Sequence, residues 1–240
     1  MLLEVQGIVL RRTKYGEGSL IADLLTKEHG LVTIIAQGIQ SKSGRAKDAL
    51  LQVGAVIEAV LYFKPGGNMH RMKSVHPALR LSDIPFNFIK GSILLFSIEL
   101  SRNALLKSGI DKQHFDLLKK QILLLDQLEK GLSFFPIQFT LRLAQSLGFG
   151  IDWDSYHEGS FLDLQAGTFI SNIPAHPNYL SQYYAYRYYL LGARKDNYQK
   201  VTKKDRQYLL DQSMVFYKLH IDQFRIPNSL DILTTIFNDS

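Results

Sequence analysis

The sequence predicts an α+β protein: a small five-stranded β-barrel over residues 1–80, then an α-helical domain over residues 81–240. Three observations predict it. Apolar residues fall in short strand-like runs up to residue 80 and at spacings of three and four beyond it. Turn residues break the first part at Gly16/Gly18, Gly30, Gly38 and Pro65-Gly66-Gly67. Charge respects the same boundary: residues 1–80 carry eleven Lys and Arg against six Asp and Glu, a net +5, whereas the rest carries 17 against 16.

The strand-like runs are Glu4–Leu10, Leu20–Thr26, Leu31–Gln37, Val53–Phe63 and Met69–His76. No helical segment among them is longer than a short one around Asp48–Gln52. Five strands in so short a stretch suit the OB-fold, which binds nucleic acid through its barrel face and its 1–2 and 4–5 loops. In that frame Arg11–Gly18 is the 1–2 loop, Phe63–Asn68 the 4–5 loop and Gln37–Ala49 the longer 3–4 connection.

After Pro85 the segments Asn87–Lys107, Asp111–Lys130 and Ser133–Gly148 read as helices. In the second, Leu117, Leu118, Ile122, Leu125 and Leu128 form the apolar face, with Asp126, Glu129 and Lys130 opposite. Asp111 and Ser133 suit N-caps, Gly131 and Gly148 the C′ stops. Residues 149–177 are a loop-rich insertion in which FLDLQAGTFIS forms a two-stranded ribbon turning at Gln165–Gly167. Tyr179–Leu191, Lys203–Gln223 and Pro227–Phe237 return to helix.

Composition excludes several classes of chemistry. The chain has no cysteine, hence no disulfide, thiol nucleophile or cysteine-held zinc, which fits a cytoplasmic protein. No apolar run reaches the roughly 18 residues of a membrane span, and the N-terminal charges follow the apolar residues, the reverse of a signal peptide. GIQSKSGR lacks the Gly-Lys-Ser/Thr order of a phosphate loop, and GEGSL lacks the second glycine of a nucleophile elbow. His157 and His176 flank a stretch within the insertion that could hold a metal, but they lack metal-ligand spacing. No catalytic residue, cofactor or metal site is predicted. A basic barrel beside a neutral helical body fits a protein that grips an anionic partner without making or breaking bonds.

GIVLRRTKYGEGSLIADLLTKEHGLVTIIAQG resembles the opening of the RecO family of bacterial recombination mediators: a strand, a basic turn, a Y-G-E-x-S stretch and a T-x-x-x-G turn in that order. LRLAQSLGFGIDWD, FLDLQAGTF and RQYLLDQSMVFYKLHIDQFRIPNSLDILTTI continue the likeness over nearly the whole chain. The resemblance implies binding of single- and double-stranded DNA, annealing of complementary strands, and loading of recombinase onto strands coated by single-strand-binding protein. The partners it implies are RecR and the acidic C-terminal tail of that coating protein. Many members carry a four-cysteine zinc module after the position of Gly148–Asp152. This chain cannot build it, so Trp153, Tyr156, Phe161, Leu164 and Phe169 are expected to hold the insertion by packing.

The expected DNA contacts are Arg11, Arg12 and Lys14 on the 1–2 loop, Lys42, Arg45 and Lys47 on the 3–4 connection, and Lys64, Arg71 and Lys73 around the last two strands. Arg142, beside Phe139, Leu141 and Leu143, is the expected seat of the acidic tail, with Arg187 second. The tyrosines of 179–189 read as a packed helix rather than a base-stacking platform. The alternative reading is a repair scaffold that binds proteins and hardly touches DNA.

Overall fold

A computed structural model of the chain describes residues 1–39, 44–108, 112–193 and 200–238. Five strands, β1 (Leu2–Tyr15), β2 (Ser19–Thr26), β3 (Gly30–Gln37), β4 (Val56–Tyr62) and β5 (His70–Pro77), close into a barrel in the order β1-β2-β3-β5-β4. All pairs are antiparallel except β3–β5, which meet in parallel at Ile34↔His70 and Ile35↔Arg71. This is the OB-fold. Alternation supplies its interior: Val5, Val9, Leu20, Ala22, Leu24, Val32, Ile34, Ala36, Ile57, Ala59, Leu61, Met72 and Val75 form one apolar cluster. Helix α1 (Gly44–Leu50) lies in the 3–4 connection, and Leu51 beyond it joins the same core.

Strand β1 runs farther than its apolar residues suggest. Pairing with β2 continues from Gly7↔Thr26 to Tyr15↔Ser19, with an irregularity between Val9 and Arg11. Arg11, Arg12 and Lys14 therefore lie on a strand, not in a loop, and the turn is only Gly16–Gly18. Ladder hydrogen bonds outweigh the polar composition that makes this stretch look like a turn. Strand β4 starts at Val56 rather than Val53, because residues 51–55 are spent turning out of α1, with Gly54 at φ 85°.

Next come α2 (Phe88–Ser108), α3 (Lys112–Gln127), α4 (Phe135–Ser146), α5 (Gln182–Gly192), α6 (Lys203–His220) and α7 (Ser229–Asn238). The chain divides into two compact units: Met1–Arg102 with α3, and the end of α2 with the elements from α4 onward. The change from strand to helix near residue 80 thus falls inside the first unit.

Several helix ends differ from expectation. Asp111 lies outside the described residues. Ser133 is not the N-cap of α4, which starts after a 3-10 turn (Leu132–Phe134) with Pro136 in its first turn, and Gly131 caps that 3-10 turn instead of ending α3. Gly148 does end α4: at φ 87° it follows Leu147, and the N–H groups of Gly148 and Phe149 donate to the carbonyls of Gln145 and Ala144. Asp126 does not face solvent but is 6% exposed, drawn inward by hydrogen bonds from Ser82, Asp83 and Ile84. Tyr179–Leu180 form a strand (β8) rather than the start of a helix, pairing with β6 (Phe161–Asp163), which also pairs with β7 (Thr168–Ile170) in the expected ribbon.

Candidate nucleic-acid interface

Directly paired residues on neighbouring strands share a face of the sheet, so the register assigns each barrel side chain to the inside or the outside. Val9 and Leu24 pair inside the core. The irregularity after Val9 then puts Leu10 and Arg11 on one side together, returns Arg12 to the inner side opposite Ala22, and sends Thr13 outward opposite Ile21. From Thr13 an outward row runs around the barrel: Thr13↔Ile21↔Ile35↔Arg71↔Tyr62↔Leu2. At about 4.8 Å per strand this band is tens of ångströms of open sheet surface. Ile21 and Ile35 are half-buried, while Arg71, Tyr62 and Leu2 are exposed. The Arg71 guanidinium carbon lies 5.8 Å from the centre of the Tyr62 ring.

The cations divide into free and committed ones. Lys14, Lys64, Arg71 and Lys73 are exposed, and so is Arg11, whose Nε donates to Thr13 Oγ1 at 3.3 Å. Arg12 is committed: its Nη2 meets Asp48 Oδ1 at 2.6 Å and its Nη1 donates to the Asp48 carbonyl, pinning α1 across the barrel end. Lys47 is half-buried on α1, and Arg45 stands in the same helix. Lys42 lies outside the described residues. Two carboxylates among these cations are already held, Asp48 by Arg12 and Asp23 by Arg102 at 3.4 Å. Asp23 also accepts from Thr33 Oγ1.

The 4–5 loop is fixed at its root. Phe63 stacks on His70 with ring centroids 4.4 Å apart, the Lys64 N–H donates to His70 Nδ1, and the N-terminal amine of Met1 donates to the Phe63 carbonyl. Lys64 thus projects from a defined base. Charge alone did not single out Tyr15, Ile21, Ile35 or Tyr62, the apolar part of the face. Their signal was alternation: Ile21, Ile35 and Tyr62 each stand one step out of phase with a core residue, and Tyr15 stands two beyond Thr13.

In the second unit Arg142 borders a cleft of about 530 Å³ whose apolar part includes Leu141, Ile151, Trp153 and Leu191, with Asp152 and Asp154 also in its wall. Arg187 has a different occupation. Its Nε donates to Asp205 Oδ2 at 3.1 Å, its Nη1 donates to the Tyr183 carbonyl, and its guanidinium lies 3.3 Å from the Tyr183 ring centre. Burial pushes the Asp205 carboxyl up, but hydrogen bonds from Thr202 and Arg187 outweigh it and hold the group below its ordinary value. Asp205 and Thr202 form the capping box of α6, so Arg187 supports a helix start. A smaller cleft that the sequence did not reveal joins Pro136, Ile137, Leu210, Leu233 and Phe237, with Lys203 and Arg206 in its wall.

The insertion is held by aromatic packing. Tyr156 stacks on Tyr189 at 3.8 Å and meets Phe169 edge-on at 5.2 Å, while Trp153 lies against Phe169 and Tyr188. A methyl group added at Gly192 would run into the Trp153 ring, so that glycine is what lets the indole lie on α5. Tyr188 is fully buried and its hydroxyl bonds Ser213, the packed role expected of this helix, although Tyr183 and Tyr186 remain partly exposed. His157 bonds Ser171 and His176 bonds Asp163. Without cysteine, these residues do not fit the family's zinc module, and among the described residues no three His, Asp or Glu side chains converge.

Comparison with known proteins agrees with this architecture. Residues 1–78 match the family model described as "Recombination protein O N terminal". The DNA repair protein RecO of Bacteroides fragilis is 30% identical, aligned over 99% of this chain and all of the relative. Those of Phocaeicola vulgatus and Christiangramia forsetii are 28% and 27% identical over the same shares.

Proposed function

The chain belongs to the RecO family of DNA repair and recombination proteins, and from that premise we propose that it binds DNA strands on the outer face of its barrel, anneals them, and assists recombinase loading onto single strands coated by single-strand-binding protein. The observation that carries this is the outward row Thr13–Ile21–Ile35–Arg71–Tyr62, flanked by Arg11, Lys64 and Lys73, with Lys14 exposed near the end of β1 opposite Leu20, and with Asp23 and Asp48 neutralised by arginines. Cations bind the phosphates of either single or double strands, and half-buried aliphatic and tyrosine surface accepts unstacked bases. Screening phosphate repulsion is the physical requirement for annealing, and it needs neither a nucleophile nor a metal. Among the described residues no helix is long and apolar enough to cross a membrane.

If about five phosphates are neutralised on a single strand, log affinity falls with log salt at a slope near −3.5. Replacing Arg11, Lys14, Lys64, Arg71 and Lys73 by alanine, with Arg12 left in place to keep α1 seated, is expected to weaken binding by at least about tenfold and to flatten that slope. Lys42, Arg45 and Lys47 form a second set for the same titration. Unchanged affinity and slope in both sets would favour the scaffold reading instead.

Two protein partners complete the proposal: RecR, and the acidic tail of the coating protein, which ends in an apolar residue with a free carboxylate. The tail is assigned to the cleft bordered by Arg142, where an apolar wall adjoins a guanidinium. Arg142→Glu is expected to weaken a labelled tail peptide by at least about tenfold while leaving naked DNA binding intact, read by fluorescence anisotropy. Equal peptide affinity there, with loss in Lys203→Glu, would move the tail to the smaller cleft. Arg187→Ala is expected to act on the stability of α6 more than on the peptide, because its guanidinium already serves Asp205.

A further inference from the structure

Two phenylalanines outside the barrel are almost fully open to solvent: Phe86 at 87% and Phe88 at 75%. They are not on a loose loop. Ile84, just before them, is buried and its N–H donates to Asp126, and Lys90, just after them, is buried with its ammonium on the Asp126 carbonyl and the Asp83 carboxylate. Between these anchors Phe86 ends a 3-10 turn and Phe88 opens α2, so both rings are presented on a fixed pedestal. Rigid presentation lowers the ordering cost of any contact the rings make.

Pro85, adjoining Phe86, also walls a cleft of about 480 Å³ with Leu50, Val53, Leu79, Leu81 and Leu94. Gly54 lines it at φ 85° with Leu94 packed where a side chain would stand. The charged residues next in sequence to this lining are one-sided. Asp48 is held by Arg12 and Asp83 by Lys90, whereas Lys47 on α1 and the exposed Arg80, set between Leu79 and Leu81, have no ion-pair partner among the described residues.

We infer that Phe86 and Phe88 form a base-stacking platform for single-stranded nucleic acid, separate from the barrel face, with the adjoining cleft accepting an unstacked base and Lys47 and Arg80 holding its phosphates. Every base has a π-face, so two fixed rings beside an apolar slot grip a strand without reading its sequence. Uncompensated positive charge next in sequence to the cleft lining selects a polyanion over an apolar protein surface. The inference rests on the strand-binding reading above and adds a second place for a strand, which annealing needs.

The test compares a labelled oligothymidine with an abasic sugar–phosphate strand of equal length, by anisotropy. The parent protein is expected to prefer the strand with bases. Phe86→Leu/Phe88→Leu keeps the surface apolar while removing the rings, and is expected to weaken oligothymidine binding by about tenfold or more while the abasic strand binds as before. The five-cation barrel variant is expected to lose affinity for both strands. A double-leucine variant that keeps the parent's preference overturns the platform whatever the barrel variant does. A barrel variant with full affinity, beside a leucine variant that loses the preference, overturns the barrel reading and leaves the platform standing. If the leucine variant instead keeps its DNA binding and sediments as a smaller species than the parent, the rings are a self-association face and the inference falls.

Discussion

Replacing Asp126 by alanine is expected to lower the unfolding free energy by about 3–4 kcal/mol, among the largest effects of a single polar substitution in this chain. One carboxylate serves three consecutive peptide groups: Oδ1 accepts from Asp83 and Ile84 at 2.9 and 2.8 Å, and Oδ2 accepts from the Ser82 N–H and hydroxyl at 2.8 and 3.0 Å. Alanine would leave these donors, one of them buried, without their acceptor, and bonds to a charged acceptor are the stronger kind. Burial pushes the Asp126 carboxyl up, but the bonds from Ile84, Ser82 and Asp83 outweigh it and hold the group down at about 2, against an ordinary 3.8. A depressed carboxyl stabilises the fold above its unfolded value and loses that contribution as pH falls through its folded value. The stability gap between parent and Asp126→Asn should therefore close between about pH 4 and about pH 2. Urea midpoints across that range decide it, and a gap independent of pH would mean the bonds do not favour the charged form.

Phe169→Ala is expected to cost about 3–4 kcal/mol and to loosen the insertion. Phe169 is 4% exposed, and its ring touches Trp153, Tyr156 and Tyr189. A zinc module stays closed through thiolate bonds; here ring packing does that work, so truncating one central ring removes both buried area and the neighbours' contacts. Two measurements separate packing from metal. The melting temperature of the parent should be indifferent to a strong chelator, and Phe169→Ala should be no less indifferent. A chelator-sensitive parent, or stoichiometric metal by elemental analysis, would contradict the expectation.

The barrel was legible because period-two alternation is imposed by burial: Leu20, Ala22 and Leu24 announce their strand directly. The end of β1 was not, since Arg11–Tyr15 is polar on both sides and only its pairing with β2 makes it a strand. The same blindness affected the cations. Arg11 and Arg12 are adjacent and chemically identical, and nothing local distinguishes the one that is exposed from the one bound to Asp48, 36 residues away. Asp126 read as a solvated helix residue because its partners lie more than 40 positions back. Phe86 stands just before, and Phe88 within, the segment Asn87–Lys107 that reads as a helix, and only the fold shows both rings exposed.

The extra residue between Val9 and Arg11 acts as a phase shifter. Strict alternation from Val9 would aim Arg11 at the barrel interior and Arg12, then Lys14, at the outer sheet; the bulge reverses all three assignments. Deleting Leu10 would leave composition, net charge and nearly every motif untouched, yet unseat α1 by turning Arg12 away from Asp48 and drive Thr13 and Tyr15 inward. In this segment, geometry rather than inventory decides which positive charge is available to a polyanion, and relatives that keep both arginines but shift the spacing by one residue would present a different surface.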